Sequence, residues 1–406
     1  MDNRHSVNMV FRCLSRRKKM HEHNKATSVA FVSIRPFAIT NSRLELIHSF
    51  LEAGAQIYIV ANLKEVKPEE KNILDGLTAA GVCLYQVSFS VGRTFGFHDI
   101  LAIYQLSRFF KQYPTDLLHT FNLKTTLYTF VAGVFCRPPK NTIKINTVTG
   151  FGSSISPERT ISDVAKWVIG NALSSFNLTI FQNSDDYEFS QKFTRLHESQ
   201  KALIISSGVN CERFAFKERA SSNRTNLRIL MVARIIRQKG IQDFLDLQAK
   251  LSLRCPNVRF SLIGEYHNEN PDSYPFKKLQ QSNVEYLGFQ SNLEEHFWNH
   301  DIFVSTSTYN EGVPRSLIEA ASTGLPIVSY KIPGTSDVVI DGVTGHLVEK
   351  NNMNELLQAV VRLVEDDDVR KLMGQRASLF IKKNFNKQII IRKQTAIYRH
   401  FGFIVE

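Results

Sequence analysis

Residues 302–330 read IFVSTSTYNEGVPRSLIEAASTGLPIVSY. A short apolar strand is followed by a loop, a helical stretch and a second apolar strand. Pro314 suits the first position of the helix, where its missing N–H leaves no bond unmade, and Gly324 ends the helix. Strands that are joined through helices predict a parallel sheet with helices on both faces.

The same alternation of strand, turn and helix begins at residue 28 and restarts after a polar, aperiodic stretch. We therefore predict an α/β chain of two tandem Rossmann-like, doubly wound parallel-sheet domains. Ligands of such sheets bind beyond the carboxyl ends of the strands, so the expected active site is a cleft that the two domains face. The predicted parts are a basic tail (1–27), an N-terminal acceptor-binding domain (28–216), a linker (217–226), a C-terminal donor-binding domain (227–385) and a C-terminal helix (386–406) that packs back toward the N-terminal domain.

The composition fits a globular chain. Its 406 residues are 43% apolar and 22% charged, which suits two packed domains. No stretch approaches the ~20 apolar residues of a membrane span. The five cysteines are far apart and form no Cys-x-x-Cys pair, which disfavours a zinc site or a disulfide framework and favours a reducing compartment. The basic N-terminus is not a secretory signal, so we expect a cytoplasmic protein.

The charge is uneven along the chain. Lys and Arg outnumber Asp and Glu by 50 to 38, and most of the excess precedes residue 225. This predicts an anionic partner, although a disordered basic tail would explain residues 1–25. Nucleic acid is disfavoured because no basic-aromatic motif is present. We expect peripheral contact with an anionic membrane through basic residues set among aromatic ones, namely Arg108, Lys111, Arg137 and Lys140 with Phe109, Phe110 and Phe135.

The start of the helix after Pro314 is a candidate anion site. Its first N–H groups have no partner within the helix and carry a partial positive charge, and Gly312 lets the backbone approach a ligand closely. Glu311 precedes the helix and Glu319 lies inside it. Ionised carboxylates accept hydrogen bonds from hydroxyl-rich ligands; the alternative is two solvent-facing glutamates.

A second candidate is ARIIRQKG at 233–240. Here Arg234, Arg237 and Lys239 follow a strand, and a helix opens at Gly240. Cations at this place, beside a helix N-terminus, could clamp a pyrophosphate without a metal. Alternatively, the stretch is an ordinary basic loop.

These stretches carry a resemblance. EGVPRSLIEA at 311–320, ARIIRQKG at 233–240, PGTSDVVIDGVTGHLVE at 333–349 and SSGVNCERF at 206–214 resemble glycosyltransferase family four, the retaining nucleotide-sugar transferases of GT-B fold. The resemblance implies that Arg234 and Lys239 hold the donor diphosphate and neutralise the leaving group. It implies that Glu311 contacts the donor sugar and Glu319 the ribose. It also implies a donor-site lining of Gly312, Val313, Pro314, Ser316, Leu317, Gly288 and Gly334.

The first domain is similar to a subgroup of that family. RPFAITNSRLELIHSFLEAGAQIYIVA at 35–61 and TVTGFGSSIS at 147–156 resemble the enzymes that build lipid-linked bacterial surface glycans by adding a sugar to an undecaprenyl-diphosphate sugar. This similarity implies that the acceptor or sugar is faced by Asn41, Arg43, Gly150 and Gly152, each of which could instead serve only turn structure. The sequence has Ile34-Arg35-Pro36 where many relatives carry Gly-Gly, and Thr149-Gly150 where many carry a His. His119, on a neighbouring strand, is the candidate histidine, with a structural role as the alternative.

The resemblance predicts a retaining glycosyltransferase that needs neither a cofactor nor a metal. Its substrates would be a UDP-linked hexose or N-acetylhexosamine and a polyprenyl-diphosphate-linked glycan of a capsule or lipopolysaccharide, at the inner face of the cytoplasmic membrane. No Asp-x-Asp run offers metal ligands, and DDD at 366–368 is predicted to be a solvated helix start. We expect front-face attack, with the leaving diphosphate deprotonating the acceptor. A nucleotide-sugar 2-epimerase and a scaffold with a decayed donor site are the alternatives.

Overall fold

The computed structural model describes residues 27–64, 66–90, 96–152, 162–218, 227–310 and 312–405. Apart from residue 27, the predicted basic tail lies outside these ranges, and so does the predicted linker from residue 219 onward. The chain divides into two compact units. Unit 1 comprises the residues up to Ile204 and those from Ile390 onward, and unit 2 is Ile205–Ile389.

Unit 1 contains a seven-stranded parallel sheet in the order β3-β2-β1-β4-β5-β6-β7. Its strands are β1 (Ser28–Val32), β2 (Gln56–Ala61), β3 (Cys83–Gln86), β4 (Leu117–Phe121), β5 (Ile143–Val148), β6 (Leu178–Phe181) and β7 (Lys201–Leu203). Between them lie α1 (Phe37–Thr40), α2 (Leu44–Glu52), α3 (Pro68–Ala79), α4 (Phe97–Gln112), α5 (Leu123–Phe135), α6 (Asp163–Ser174) and α7 (Ser184–Ser190).

Unit 2 contains a six-stranded parallel sheet in the order β10-β9-β8-β11-β12-β13. Its strands are β8 (Arg228–Val232), β9 (Arg259–Ile263), β10 (Glu285–Tyr286), β11 (Ile302–Ser305), β12 (Ile327–Tyr330) and β13 (Gly345–Val348). Its helices are α8 (Ile241–Ser252), α9 (Phe276–Gln280), α10 (Leu293–Trp298), α11 (Arg315–Ser322), α12 (Met353–Glu365) and α13 (Asp367–Asn384); α14 (Lys387–His400) follows. The predicted fold class, two doubly wound parallel-sheet domains, is confirmed.

Helices cover both faces of the unit 1 sheet. On one face, Phe50 of α2 and Tyr398 of α14 pack into one core. On the other face, α4 and α5 pack through a core that includes Phe109 and Phe110. The expectation that these two rings meet a membrane is therefore wrong: they lie on the buried side of α4 and are 0% and 4% exposed. Phe135, at the end of α5, is 75% exposed.

The division between the units precedes the predicted linker at 217–226. The residues just before that stretch pack in unit 2, where Val209 and Phe214 join the core of α10, α11 and α13. The Ser322 hydroxyl also donates to the Phe214 carbonyl (2.8 Å). These residues belong to unit 2 because their side chains pack in its core. The polar composition of the stretch that follows does not predict this packing.

Two further predictions concern helices. The DDD run starts α13 as predicted, with Asp366 as the N-cap that accepts from the Val369 N–H (2.9 Å). Among the described helices, none is long and apolar enough to cross a membrane.

Candidate active site

The candidate residues of unit 2 follow neighbouring strands at their carboxyl ends. Arg234 follows β8, Gly288 follows β10, Gly312 follows β11 and Gly334 follows β12. The strands β10, β9, β8, β11 and β12 are consecutive in the sheet. The four loops therefore share one edge of the sheet, where open α/β sheets bind their ligands.

The basic loop is fixed by its backbone. It contains the exposed Arg234 and the half-buried Lys239, and it ends at Gly240, whose φ of 70° is left-handed. The Thr306 hydroxyl donates to the Gly240 carbonyl (2.8 Å), and the Thr308 N–H donates to the carbonyl of Gln238 (3.0 Å). The loop after β8 is thus bonded to the chain that leaves β11.

Only glycine fits at position 240. A Cβ there would lie 1.8 Å from the Thr306 carbonyl oxygen, far inside van der Waals contact. This close approach holds the basic loop against the chain that continues to Gly312.

A second close approach shapes the start of α11. A Cβ at Gly334 (φ +83°) would lie 2.9 Å from the carbonyl carbon of Gly312 and from the nitrogen of Val313. The loop after β12 therefore supports the backbone immediately before the helix. Pro314 is the N-cap and makes no side-chain cap bond; it stands one residue before the helical position that the sequence predicted, because its ψ of 124° is extended.

Inside α11, Glu319 is only 6% exposed. Arg315, one turn earlier, donates to its Oε1 from Nε (3.2 Å) and from Nη2 (3.0 Å). Burial raises the pKa of Glu319, and the charge of Arg315 opposes that shift. The Glu319 carboxylate is therefore a strong hydrogen-bond acceptor, and Arg315 is the cation that the same helix provides for it.

A second ion pair lies close enough to influence Glu319. Arg213 donates to Oε2 of Glu294 from Nε (3.0 Å) and Nη2 (2.9 Å), and to the Ser291 carbonyl (2.7 Å). The charge of Arg213 lowers the pKa of Glu319 and that of Glu294 raises it. Two arginines and one further carboxylate thus influence the pKa of the buried Glu319.

The remaining donor-site predictions have mixed outcomes. Glu311 lies outside the described residues. Ser316 is half-buried, whereas the side chain of Leu317 lies in the core and cannot line a ligand. The Leu317 N–H donates to the Pro314 carbonyl (3.2 Å). Gly288 (φ +68°) has open space where a Cβ would stand, which is compatible with a ligand beside its backbone.

Sequence reasoning missed the partners of the site. Arg315 stands four residues before Glu319, the spacing at which side chains on a helix meet, so this pair was available from the sequence. Arg213 and Thr306 were not, because both act across long chain separations.

In unit 1, Arg43 and His119 lie in the core. Arg43 is 4% exposed, and its guanidinium lies 4.4 Å from the centre of the Phe121 ring. His119 is 0% exposed; its Nδ1 is hydrogen-bonded to the Tyr398 hydroxyl (2.6 Å) and its Nε2 to that of Thr147 (2.8 Å). The prediction that His119 faces a ligand is therefore corrected, since both of its ring nitrogens have partners inside the core; a ligand role for the buried Arg43 stays a prediction.

The surroundings of His119 set its charge. Burial lowers the pKa of the imidazole well below its usual value, and the charge of Arg43 lowers it further. The ring is therefore neutral at physiological pH and serves to connect α14 to the sheet.

The glycine loop after β5 is held from a neighbouring helix. Gly150 and Gly152 have φ of 147° and 72°, and between them the Phe151 N–H donates to Oδ2 of Asp186 (3.1 Å). The side chain of Asp186 also accepts from Asn183 Nδ2 (2.7 Å). This loop follows β5 directly, as predicted, and so lies at the carboxyl edge of the sheet. The half-buried Asn41 does not follow β1 directly: α1 intervenes, and Asn41 is its C-cap.

This edge of unit 2 can bind an anion beside a carboxylate that accepts hydrogen bonds from hydroxyl groups. Uncapped N–H groups at the start of α11 attract a phosphate, three cations (Arg234, Arg237 and Lys239) lie in the loop after β8, and the buried carboxylate of Glu319 lies inside α11. Within the described ranges, no three His, Cys, Asp or Glu side chains group as metal ligands; metal independence stays a prediction.

Comparisons with known proteins find similarity to glycosyltransferases. Residues 212–380 match the family of glycosyl transferases group 1. Over 384 residues, 91% of this chain and 98% of the relative, the chain is 23% identical to N,N'-diacetylbacillosaminyl-diphospho-undecaprenol alpha-1,3-N-acetylgalactosaminyltransferase of Campylobacter jejuni. The chain is also 27% identical to UDP-Gal:alpha-D-GlcNAc-diphosphoundecaprenol alpha-1,3-galactosyltransferase of Escherichia coli. That match covers 71% of this chain and 76% of the relative.

Solved structures share the fold. Anabaena Alr3699/HepE, determined in complex with UDP, aligns over 92% of this chain and 100% of its own with a TM-score of 0.71 and 17% identity. At that identity the likeness establishes a common GT-B architecture.

Proposed function

Because residues 212–380 match the family of glycosyl transferases group 1, we propose that the chain is a retaining, metal-independent glycosyltransferase. It transfers a hexose or N-acetylhexosamine from a UDP-sugar. The acceptor is a glycan linked to a polyprenyl diphosphate, and the product is an intermediate of a bacterial surface polysaccharide.

One observation carries the donor assignment. The uncapped start of α11 follows a backbone segment supported by Gly334, and the buried Glu319 lies just over one turn inside the helix. Helix N–H groups bind phosphate oxygens, while an ionised carboxylate accepts from the two hydroxyls of a ribose. A nucleoside diphosphate presents both groups.

The reaction needs charge stabilisation on the leaving group. The bond from the sugar C1 to the diphosphate oxygen breaks, and the acceptor oxygen forms its bond to C1 on the same face. The acceptor proton passes to the departing diphosphate. Arg234 and Lys239 hold this diphosphate and offset its growing charge, which is how positioned cations lower such barriers.

The relatives support the acceptor and the stereochemistry. Both are named for diphospho-undecaprenol acceptors and for alpha-1,3 linkages, and one is named for UDP-Gal. A UDP-hexose of this type holds its sugar through an α bond, so an α product implies retention.

The test begins with donor binding in the presence of a chelator. Thermal midpoints are measured with UDP, GDP, ADP and UDP-sugars for the wild type, Glu319→Gln and Glu365→Gln. Glu365 is an exposed residue of α12, so its variant removes the same charge outside the site. A ligand at ~100 times its Kd stabilises a protein by about 2.7 kcal/mol. We expect a shift with uridine nucleotides for the wild type and Glu365→Gln, and none for Glu319→Gln.

Transfer is tested with a short-chain polyprenyl-diphosphate N-acetylhexosamine and the UDP-sugar that binds best. The expected result is an α-linked product, identified by its NMR coupling constants. A β-linked product would contradict retention, and a strict need for Mg²⁺ would contradict metal independence. Conversion of the UDP-sugar without acceptor would favour the epimerase.

A further inference from the structure

Helix α5 turns its hydroxyl side inward and its apolar side outward. Thr125, Thr126 and Thr129 are buried. The hydroxyl of Thr126 donates to Oδ1 of Asn146 on the sheet (2.6 Å). Its outward residues are apolar, and Val134 at its end is 69% exposed. A surface helix in water has the opposite arrangement, so this outward face is suited to an apolar environment.

The outward face of α5 contains no charge beyond its first turn. Lys124 is the single charged residue of the helix, and its Nζ pairs with the buried Asp99 (3.3 Å). Beyond that turn the partly exposed positions are Phe130, Val131, Gly133 and Leu127, the last of which also packs against a core cluster.

The neighbouring helices extend this apolar face. Phe97, Ile100 and Tyr104 recur at intervals of three and four along α4 and are 76%, 57% and 59% exposed. On α6, Val164 and Trp167 are 73% and 68% exposed. Both helices pack beside α5. We call the outward residues of α4, α5 and α6 the helical face; they are Phe97, Ile100, Tyr104, Leu127, Phe130, Val131, Val134, Val164 and Trp167.

Cations border the helical face at one end. Arg108 and Lys111 continue the exposed stripe of α4, and Arg137 and Lys140 follow α5. The Ser107 hydroxyl donates to the Ala132 carbonyl (3.2 Å), which places these two groups of cations side by side.

Acidic groups do not balance these cations. Between residues 97 and 142 the sequence has two acids. Asp99 is 1% exposed, and Asp116 accepts from the N–H (2.9 Å) and the hydroxyl (2.7 Å) of Ser28. On α6, Asp163 pairs with Lys166 (3.1 Å).

We propose that the helical face docks on the surface of an anionic lipid bilayer. Its exposed aromatic side chains enter the headgroup region, and the bordering cations lie over the lipid phosphates. Aromatic rings and basic residues are the groups that hold proteins at this interface.

Charge decides against a second copy of the chain as the occupant. A two-fold contact would pair the helical face with itself and offer its cations no free carboxylate among the acids just described, because Asp99 is buried and Asp116 and Asp163 already have partners. A bilayer with anionic headgroups matches both the apolar area and the charge that borders it.

The helical face also lies near the predicted acceptor loop. Helices α5 and α6 follow β4 and β5, so their first turns lie at the carboxyl edge of the unit 1 sheet, the edge that carries Gly150 and Gly152. The cations lie at the opposite ends of α4 and α5, so docking along the length of these helices would hold both edges near lipid headgroups. Holding the carboxyl edge there suits an acceptor anchored in the membrane; that last step rests on the proposed function.

Tryptophan fluorescence tests the contact directly, since the chain has two tryptophans. Trp298 is in unit 2, where its Nε1 donates to the Ala215 carbonyl (2.8 Å). Trp298→Phe therefore leaves Trp167 as the sole reporter, and Trp167→Phe leaves Trp298. With phosphatidylcholine–phosphatidylglycerol vesicles, we expect a blue shift and quenching by brominated acyl chains for the first variant and no change for the second.

Co-sedimentation tests the cations. Arg108→Gln/Lys111→Gln is compared with Lys382→Gln/Lys383→Gln, which removes the same charge from exposed positions of α13. Each cation near an anionic surface contributes roughly five-fold to binding, so the first pair should weaken binding about twenty-five-fold and the second less than about two-fold. Added salt should weaken wild-type binding.

Several results would overturn the proposal. They are equal losses for the two pairs, unchanged Trp167 emission on bound vesicles, equal binding to pure phosphatidylcholine, or no binding. A dimer that Trp167→Ser dissociates would favour a protein partner instead. These vesicles contain neither polyprenyl lipid nor nucleotide, so a negative result leaves the donor-binding test of the proposed function unaffected.

Discussion

Gly240 allows a sharp test of how the basic loop is held, because Gly342 provides a matched control. The two glycines have nearly the same backbone conformation, with φ of 70° and 69°. They differ in their surroundings. A Cβ at 240 would lie 1.8 Å from the Thr306 carbonyl oxygen, whereas nothing lies within 4 Å of a Cβ at 342.

The structure sets the expected magnitudes. Alanine at either position costs about 1 kcal/mol for the left-handed conformation. At 240 the overlap is with backbone, which no rotamer change relieves, and overpacking adds about 1–3 kcal/mol. Displacing the loop also breaks the bonds from Thr306 (2.8 Å) and Thr308 (3.0 Å), at about 1 kcal/mol each. We expect Gly240→Ala to lose about 4–6 kcal/mol and Gly342→Ala about 1 kcal/mol.

Urea unfolding of the two variants and the wild type measures this difference, with probes for each unit because a two-unit chain need not unfold in one step. Donor binding is then measured at a temperature where all three are folded. We expect Gly240→Ala to lose affinity, since Arg234 and Lys239 move with the loop, and Gly342→Ala to keep it. Equal destabilisation by the two substitutions would refute the role assigned to the Thr306 contact.

Three other perturbations test the site and its supports. Burial raises the pKa of Glu319 above its usual 4.5, so the folded chain holds this proton more tightly than the unfolded chain and loses stability as pH rises through the folded pKa. The variant Glu319→Gln has no such proton to lose. In thermal scans at pH 7, it should therefore match wild-type stability or exceed it by up to about 1 kcal/mol. Burial lowers the pKa of His119, so below pH 6.5 the imidazole takes up a proton in the unfolded chain but not in the folded one. Stability should therefore decline as pH falls below 6.5. In urea titrations, His119→Asn should reduce that dependence of stability on pH. Tyr398→Phe removes the hydroxyl that is bonded to His119 (2.6 Å) and should cost about 1–3 kcal/mol, whereas the exposed Tyr104→Phe should cost almost nothing.

The sheet architecture followed from local sequence. QIYIVA and IKINTV form β2 and β5 over their full lengths, since β-branched and apolar residues fit a strand buried on both faces. Turn glycines were equally informative: Gly54 follows α2 with φ of 76°, as a helix-ending residue does.

The position of side chains in the core followed less well. His119 alternates with Leu117 and Phe121 along β4, and this period of two places all three on one sheet face. That pattern favoured burial of the histidine. Its partner Tyr398 is far along the chain, and no local pattern could identify it.

The sequence also could not reveal which glycines are required for close contact. Gly240, Gly288 and Gly334 share a left-handed φ, and each could have been a simple turn residue. The structure separates them: backbone atoms crowd a Cβ at 240 and at 334, while the space at 288 is open. Such crowding depends on the distance between loops that leave different strands.

Stability and function make opposite demands on α11. A carboxylate that is 6% exposed loses hydration that one partly exposed arginine replaces incompletely, and leaving the helix start uncapped forgoes about 1 kcal/mol. A chain selected for stability alone would have a capping side chain and an apolar residue at these two positions. Both departures lie at the same sheet edge and both create capacity for hydrogen bonds to a ligand. Their coincidence is most simply explained if a phosphate-bearing, hydroxyl-rich molecule supplies the missing partners.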